Sequence, residues 1–355
     1  MPKTDPDLLT ASYQYHLPPS LIAHQPAARR DQSRLLVMEG KNPLAHRHFT
    51  DLLDYLAPGD CLVQNDTRVI PARLYGRRKK TGGAVEFLLL SPLNDRTWRV
   101  LVKPGRNART GEEIVFGDGR LTARVQEIEE DGARLVTFTF DGEFMALLDE
   151  LGEMPLPPYI HEKLDDPERY QTVYAREKGS AAAPTAGLHF TPELLSSIEA
   201  KGVAIARLTL HVGVGTFKPV KEEIITRHPM HKEPFTLGPD AVETILATKA
   251  RGGRVIGVGT TSLRVLESLA LENSKKEGAP LLEAASGETE LFVYPGFQFR
   301  VLDGLVTNFH LPGSTLLMLV SALMGRERIL AAYQEAVEEH YRFFSFGDAC
   351  LLLPD

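Results

Sequence analysis

Gly179-Ser180-Ala181-Ala182-Ala183-Pro184-Thr185-Ala186-Gly187-Leu188-His189-Phe190 has neither a helical period nor a strand alternation. Its small residues run into Pro184-Thr185, turn at Ala186-Gly187, and deliver Leu188-His189-Phe190 to the mouth of a helix. Thr191 can cap that helix, Pro192 fits its first position, and Leu194, Leu195 and Ile198 supply an apolar face. A run of Gly and Ala lets backbone come close to a ligand, or to another segment in a tight internal crossing. The chain downstream of this stretch decides the fold. Spacing predicts helices over 192–201, 240–249, 262–271, 314–324 and 327–341, with strands over 203–210, 255–258, 291–294 and 305–307 between them. Alternation of this kind reads as an α/β core.

Upstream of the stretch the text is broken. Short runs over 35–38 and 61–63 read as strands, and 48–56 as a helix stopped by Pro58-Gly59. Gln64-Asn65-Asp66-Thr67-Arg68 then leaves a strand, a place where a scaffold holds polar side chains firmly. An Asn-Asp turn bonding its own backbone explains the same residues equally well. From 69 the character changes. Runs over 84–90, 97–103, 113–116, 121–127 and 133–140 have strand length, β-branched and aromatic content, and turn punctuation. Five such strands without an intervening helix predict a small barrel or sandwich. The expected architecture is an α/β core domain built from residues 1–68 and 153–355, with an inserted small all-β, barrel-like domain over 69–152. Proline-rich residues 154–160 carry the chain back.

The 355 residues are 43% hydrophobic and 25% charged, the balance of an ordinary globular protein, and no apolar run is long enough for a bilayer. The first dozen residues lack the apolar segment of a signal peptide. Two distant cysteines, Cys61 and Cys350, fit a reducing cytoplasm better than a disulfide framework. A net charge of −7 argues against indiscriminate coating of nucleic acid. A specific RNA partner engaged by a local basic face stays open, and Arg77-Arg78-Lys79-Lys80 is the densest basic run, if it is more than a solvated turn.

Glycines meet polar residues again in Thr209-Leu210-His211-Val212-Gly213-Val214-Gly215-Thr216-Phe217, in Met230-His231-Lys232-Glu233, in Gly257-Val258-Gly259-Thr260-Thr261-Ser262 with Arg264 one turn on, and in Thr307-Asn308-Phe309-His310. Any one of His189, His211 and His310 could be a packed, hydrogen-bonded histidine. Three at strand exits point to a site at the carboxyl ends of the strands. His46 and His48 lack the spacing of a zinc site, so no metal is expected. No G-x-S-x-G elbow, P-loop lysine or early G-x-G-x-x-G is present. The Gly259-Thr260-Thr261 turn and its helix can still hold an anion. From the residues alone, the expectation is an enzyme of histidine, Asn/Asp and Arg chemistry, with the substrate open. A non-enzymatic RNA-binding protein using the β insert, and a small-molecule lyase or hydrolase, are the rivals.

Taken together, residues 65–74 (NDTRVIPARL), 183–190 (APTAGLHF), 209–217 (TLHVGVGTF), 259–264 (GTTSLR), 307–320 (TNFHLPGSTLLMLV) and 343–349 (FFSFGDA) resemble one family, the S-adenosylmethionine:tRNA ribosyltransferase-isomerases of queuosine biosynthesis. The resemblance runs in order along nearly the whole chain. It implies transfer and isomerisation of the ribosyl part of S-adenosylmethionine onto 7-aminomethyl-7-deazaguanine at the wobble position of tRNA. Epoxyqueuosine-tRNA, adenine and methionine are the implied products, with S-adenosylmethionine consumed as a co-substrate and no resident cofactor. It also implies an α/β domain carrying an inserted β-barrel; a cytoplasmic monomer is the separate expectation. The sulfonium acidifies the C5′ proton, so a base with a pKa near neutrality is required, and His211, His310 and His189, with Asp66, are the candidate catalytic groups. Asn65, Thr67, Arg68, Thr185, Gly187, Gly213, Gly215, Thr216, Gly259, Thr260, Thr261, Arg264 and Asn308 are the expected substrate-binding residues, with the Gly259 turn and Arg264 on the methionine carboxylate. Arg77, Arg78, Lys79 and Lys80 are expected on tRNA phosphates.

Overall fold

In the computed structural model the described residues are 5–157, 159–160, 164–213 and 220–355. Their centre is a nine-stranded sheet in the order Ala285–Thr289, Glu233–Leu237, Ala204–Leu210, Cys61–Asn65, Val255–Val258, Gly304–Asn308, Ala349–Leu353, Arg34–Glu39, Ala45–His48. The four strands from Ala204–Leu210 to Gly304–Asn308 run parallel. Three of them, Cys61–Asn65, Val255–Val258 and Gly304–Asn308, are buried along their whole length. That is why Cys61 to Val63, Val255 to Val258 and Leu305 to Val306 read as continuous apolar runs rather than alternating ones, before the first and third end in polar residues.

Apolar side chains leave the sheet on both faces. On one, Cys61, Val63 and Leu305 meet helices Pro239–Ala250, Gly259–Asn273, Thr315–Met324 and Arg326–Glu338 through Ile245, Leu263, Leu266, Leu319, Ile329 and Tyr333. On the other, Leu62, Ile256 and Val306 meet Leu194, Leu195 and Ile198 of helix Pro192–Ala200, with Phe49 and Leu52 beside them. The Pro192 helix starts as its sequence announces: Thr191 Oγ1 accepts the Leu194 N–H at 3.2 Å.

The β insert is a six-stranded antiparallel barrel. Its order is Arg73–Arg78, Ala84–Pro92, Thr97–Lys103, Arg134–Phe140, Leu121–Ile128, Glu113–Phe116, and it closes where Arg77 pairs with Val115. Inward-facing Leu74, Phe87, Trp98, Val100, Ile114, Phe116, Val136 and Phe138 form a core of its own. Gly76 is required by that core, since a Cβ there would lie 2.6 Å from the Phe116 ring.

Several elements differ from the sequence expectation. The barrel has one strand more than the five expected, because Arg73–Arg78 opens it. Helix Phe144–Leu151 was not expected inside the insert. It plugs one end of the barrel by stacking Phe144 on Trp98 and Phe138, with ring centres 5.4 and 5.0 Å apart. Residues 291–294 are not a strand. The strand is Ala285–Thr289 just before them, an edge whose mostly exposed residues carry no apolar alternation. The carbonyls of Thr289 and Leu291 are instead taken by Arg264. Ala45–His48 and Ala349–Leu353 add two unforeseen strands, and His46 is accounted for by Tyr341 and Glu335 at 2.9 Å each.

Candidate active site

The four parallel strands stop at one edge, and each runs out into polar residues: Asp66-Thr67, His211, Gly259-Thr260-Thr261, and Phe309-His310. Ala349–Leu353 starts at the same edge, opposite Asn308, and brings Phe344 and Ser345 with it. The Gly179–Phe190 stretch crosses this edge. Ala182 bridges to Val212, and Thr185–His189 forms a turn of tight helix. Together, Ala182 to Ala186, Val212, Gly259 to Thr261, Thr307 to His310 and Phe344 to Ser345 enclose a cavity of about 70 Å³.

This cavity contains unused polar groups. Among the described residues, Asn308 Oδ1 and Thr261 Oγ1 are buried without a hydrogen-bond partner. A buried acceptor or hydroxyl left unpaired costs about 1–3 kcal/mol, so a ligand that pairs with them gains what folding forfeits. The Gly259–Asn273 helix opens on the same space with no side chain capping its first turn, and Gly259 stands at φ 84° to make that turn. The positive end of a fifteen-residue helix that no side chain caps among the described residues suits a carboxylate.

The three histidines are not equivalent. His189 is buried, with Asn308 Nδ2 donating to its Nε2 at 3.1 Å and Ser33 Oγ 2.7 Å from its Nδ1. Since Nε2 accepts, Nδ1–H donates to Ser33, whose own hydroxyl donates on to the Arg30 carbonyl at 3.3 Å. His310 is equally buried, 3.0 Å from Thr307 Oγ1, with its carbonyl accepting from the Tyr15 hydroxyl at 2.5 Å. Burial pushes both imidazoles down to about 3, with the Arg30 and Arg342 charges adding to the effect at His189. Both are therefore neutral and weakly basic at pH 7. His211 is only half-buried. Burial lowers its pKa as well, while the carboxylates of Glu177 and Asp66 work against that. It lies on two open clefts, one of about 590 Å³ with Asp66, Arg176 and Thr209, the other of about 440 Å³ between the sheet edge and the barrel's Leu90, Trp98 and Met145.

The buried pair has a consequence for stability. Unfolded histidine takes up its proton near pH 6.5, whereas the folded sites resist until about pH 3. Between these values the unfolded chain binds more protons, so stability is complete above 6.5 and is lost as pH falls. At pH 5 each histidine should cost about 2 kcal/mol. Denaturation midpoints at pH 7 and pH 5 measure this, and His189→Gln should remove about half of the two-histidine loss. An undiminished pH dependence in that variant would contradict the burial argument.

The other expected site residues divide clearly. Thr185, Gly259, Thr260, Thr261 and Asn308 line the cavity. Asp66 lies on the larger cleft, holding Thr209 Oγ1 at 2.7 Å and Arg176 at 3.2 Å. Asn65 is fully committed: its Oδ1 accepts from the Leu210 and Thr67 N–H groups, and its Nδ2 donates to the Leu210 carbonyl. Gly187 makes room for the Tyr174 hydroxyl rather than for a ligand. Arg68 pairs with Glu168, away from the cavity. Arg264 is buried, its guanidinium spent on Glu233 and on the Thr289 and Leu291 carbonyls, so it is not presented to the cavity as expected. Glu233 in turn accepts the Gly213 N–H at 2.9 Å. Gly215 and Thr216 lie outside the described residues. Of the basic run, Arg78 and Lys79 pair with Glu112 and Glu113, while Arg77 and Lys80 are exposed. Among the described residues no group of three metal-ligating side chains occurs, and no helix is long and apolar enough to cross a membrane. Ser33, Ser345 and Glu233 carry no role legible in the sequence, because the chain is far from the site at each of them until the sheet brings it back.

Comparison with known proteins agrees along nearly the whole chain. The family model described as "Queuosine biosynthesis protein" matches residues 10–352. An S-adenosylmethionine:tRNA ribosyltransferase-isomerase from Acetivibrio thermocellus is 54% identical over 343 residues, 96% of this chain and 99% of that one. A solved structure of an S-adenosylmethionine tRNA ribosyltransferase from Thermotoga maritima is 38% identical, with a TM-score of 0.55 over 96% of this chain and all of the other. A family match of that span, and a relative that similar at full length, settle the matter: the chain belongs to the queuosine biosynthesis protein family.

Proposed function

We propose that this enzyme transfers and isomerises the ribosyl moiety of S-adenosylmethionine onto the 7-aminomethyl-7-deazaguanine base at the tRNA wobble position, giving epoxyqueuosine-tRNA, adenine and methionine. The observation that carries the reading is a half-buried histidine on open clefts, one residue from a cavity with unpaired polar groups and an uncapped helix N-terminus. The cavity is too small for the whole donor, so it takes one end of it. The methionine carboxylate is assigned to the Gly259-Thr260-Thr261 turn, and Asn308 Oδ1 accepts from a ligand N–H. His211, facing the clefts, is the base that removes the C5′ proton. S-adenosylmethionine is consumed, and the reading needs no resident cofactor. The chain is taken to act as a cytoplasmic monomer, in keeping with two buried free thiols.

For the RNA, the basic side chains offered by the barrel turn are Arg77 and Lys80, both exposed, while Arg78 and Lys79 form ion pairs with Glu112 and Glu113. Incubation with S-adenosylmethionine should release adenine only when tRNA bearing the aminomethyl base is present. Release without tRNA would favour the small-molecule lyase or hydrolase, and binding without release the RNA-binding protein. In the same system, Arg77→Gln with Lys80→Gln should flatten the salt dependence of tRNA affinity by roughly one to two units of log–log slope. An unchanged slope would make the turn a solvated loop.

A further inference from the structure

Two residues, Thr67 and Gly179, flank the His211 ring. Thr67 is completely buried, and its Oγ1 lies 2.7 Å from His211 Nδ1. The same oxygen is 3.5 Å from the Glu177 carbonyl, an acceptor within reach of the threonine's own hydrogen. If that hydrogen goes to Glu177, Oγ1 receives the Nδ1–H of the imidazole. Neutral histidine then carries its one lone pair on Nε2. On the ring's other side stands Gly179. A Cβ built there would lie 2.8 Å from Cε1, 2.9 Å from Nε2 and 3.0 Å from Nδ1, closer than side-chain carbons approach one another. Any side chain at this position would therefore run into the imidazole, and only glycine lets the backbone pack this close to it.

Thr67 itself is fixed from behind. Its N–H donates to Asn65 Oδ1 at 3.1 Å, and Asn65 is locked to both backbone groups of Leu210, the residue before His211. Thr67 also starts the short strand Thr67–Val69, which pairs in parallel with Glu177–Ser180, the strand that contains Gly179. One two-stranded ribbon therefore supplies the acceptor for Nδ1–H, the carbonyl that orients that acceptor, and the wall against the ring. Thr67 was expected on the substrate. Its burial and its contacts assign it elsewhere.

We infer that Thr67 and Gly179 are positioning residues that hold His211 in the Nδ1–H tautomer and so make Nε2 the proton-accepting atom. The inference rests on the reading of His211 as the base. The step it serves breaks the C5′–H bond and forms Nε2–H, and the electron pair stays on C5′ beside the sulfonium. In water, neutral imidazole prefers the opposite tautomer, with the proton on Nε2. That form has no lone pair at the reacting nitrogen, so the choice of tautomer is worth rate.

The test uses full-length enzyme labelled with ¹⁵N-histidine, in which long-range ¹H–¹⁵N correlation spectra report the tautomer, alongside S-adenosylmethionine C5′ proton exchange. Wild type and Thr67→Ser should show His211 with Nδ1 protonated and Nε2 bare. Thr67→Val should move His211 towards the Nε2–H form and slow exchange about 10- to 100-fold at saturating donor, with KM within about threefold and with serine restoring the rate. Should the valine variant not fold, Gly179→Ala displaces the ring with the hydroxyl intact and should cause the same loss of tautomer and rate. Retention of the Nδ1–H tautomer and of the rate in either folded variant overturns the inference. His211→Gln separates the two levels. If it leaves exchange intact, the base reading fails. If it abolishes exchange while Thr67→Val does not, only the positioning fails.

Discussion

Replacing His211 with alanine should lower exchange of the S-adenosylmethionine C5′ proton with solvent by about 10²–10⁴-fold, and adenine release with it. The expectation comes from comparing three histidines that the sequence presents as equals. A general base works best when its pKa lies near the working pH, since a much weaker base is present in the right form but pulls poorly. His189 and His310, held near 3 by burial, fail on that count, and His189 has both ring nitrogens engaged. His211 is depressed by burial but partly supported by Glu177 and Asp66, and it opens on space large enough for a nucleoside. Because the base must be neutral, kcat/KM should rise with pH on the acid side and level off above the His211 pKa. With the shift downward, that inflection belongs below 6.5, and the plateau covers neutral pH. Full exchange in His211→Ala, with loss in His310→Ala, would transfer the role to His310.

Breaking the Arg264–Glu233 pair should cost about 3–5 kcal/mol of folding stability, because removing one partner takes the opposite charge away from a group that is held in a buried site. That is a large part of the roughly 5–15 kcal/mol by which a typical domain is stable. Arg264→Met and Glu233→Gln should therefore both lower the urea midpoint sharply, whereas the double variant Arg264→Met with Glu233→Leu should recover much of it. The two single variants need not be equal. Glu233 also holds the Gly213 N–H, two residues on from His211, so Glu233→Gln should disturb the site as well as the fold. The competing assignment, Arg264 on the methionine carboxylate, predicts a raised KM for S-adenosylmethionine in Arg264→Met with the urea midpoint unchanged. Measuring both quantities on the same variant decides between them.

The elements legible in the sequence are those whose burial imposes a pattern. Helix Pro192–Ala200 declares its cap, its first proline and its apolar face, and the Val255–Val258 strand runs as an unbroken apolar segment because both its faces are covered. Barrel strands such as Thr97–Lys103 and Arg134–Phe140 alternate between one wet face and one dry face. Elements without such a pattern are hidden from a reading of residues alone. Ala285–Thr289 is an edge strand of mostly exposed small and polar residues, held by its ladder to Glu233–Leu237 rather than by its own preferences. Helix Phe144–Leu151 is short, and its place in the chain does not disclose that the barrel has an open end to plug.

The site shows the same division. Sequence by itself determined which stretches are special. A run of small residues, glycines beside histidines and an Asn-Asp strand exit need no partner to be recognised, because glycine and the polar side chains mark local backbone demands. It also pointed the histidine and glycine stretches to the carboxyl ends of the strands, where open α/β sheets bind ligands. Only the tertiary structure decided what each side chain does there. Whether a histidine is a base or a strut depends on its burial and on the partners of its two nitrogens. Those partners, Ser33 for His189 and Thr67 for His211, lie 156 and 144 residues away along the chain. Gly179, at the head of the Ser180-Ala181-Ala182-Ala183 run, shows the limit most directly. Its sequence says that something must come close. Only the fold identifies that neighbour as the imidazole of His211, because separation along a chain carries no information about a distance set by packing.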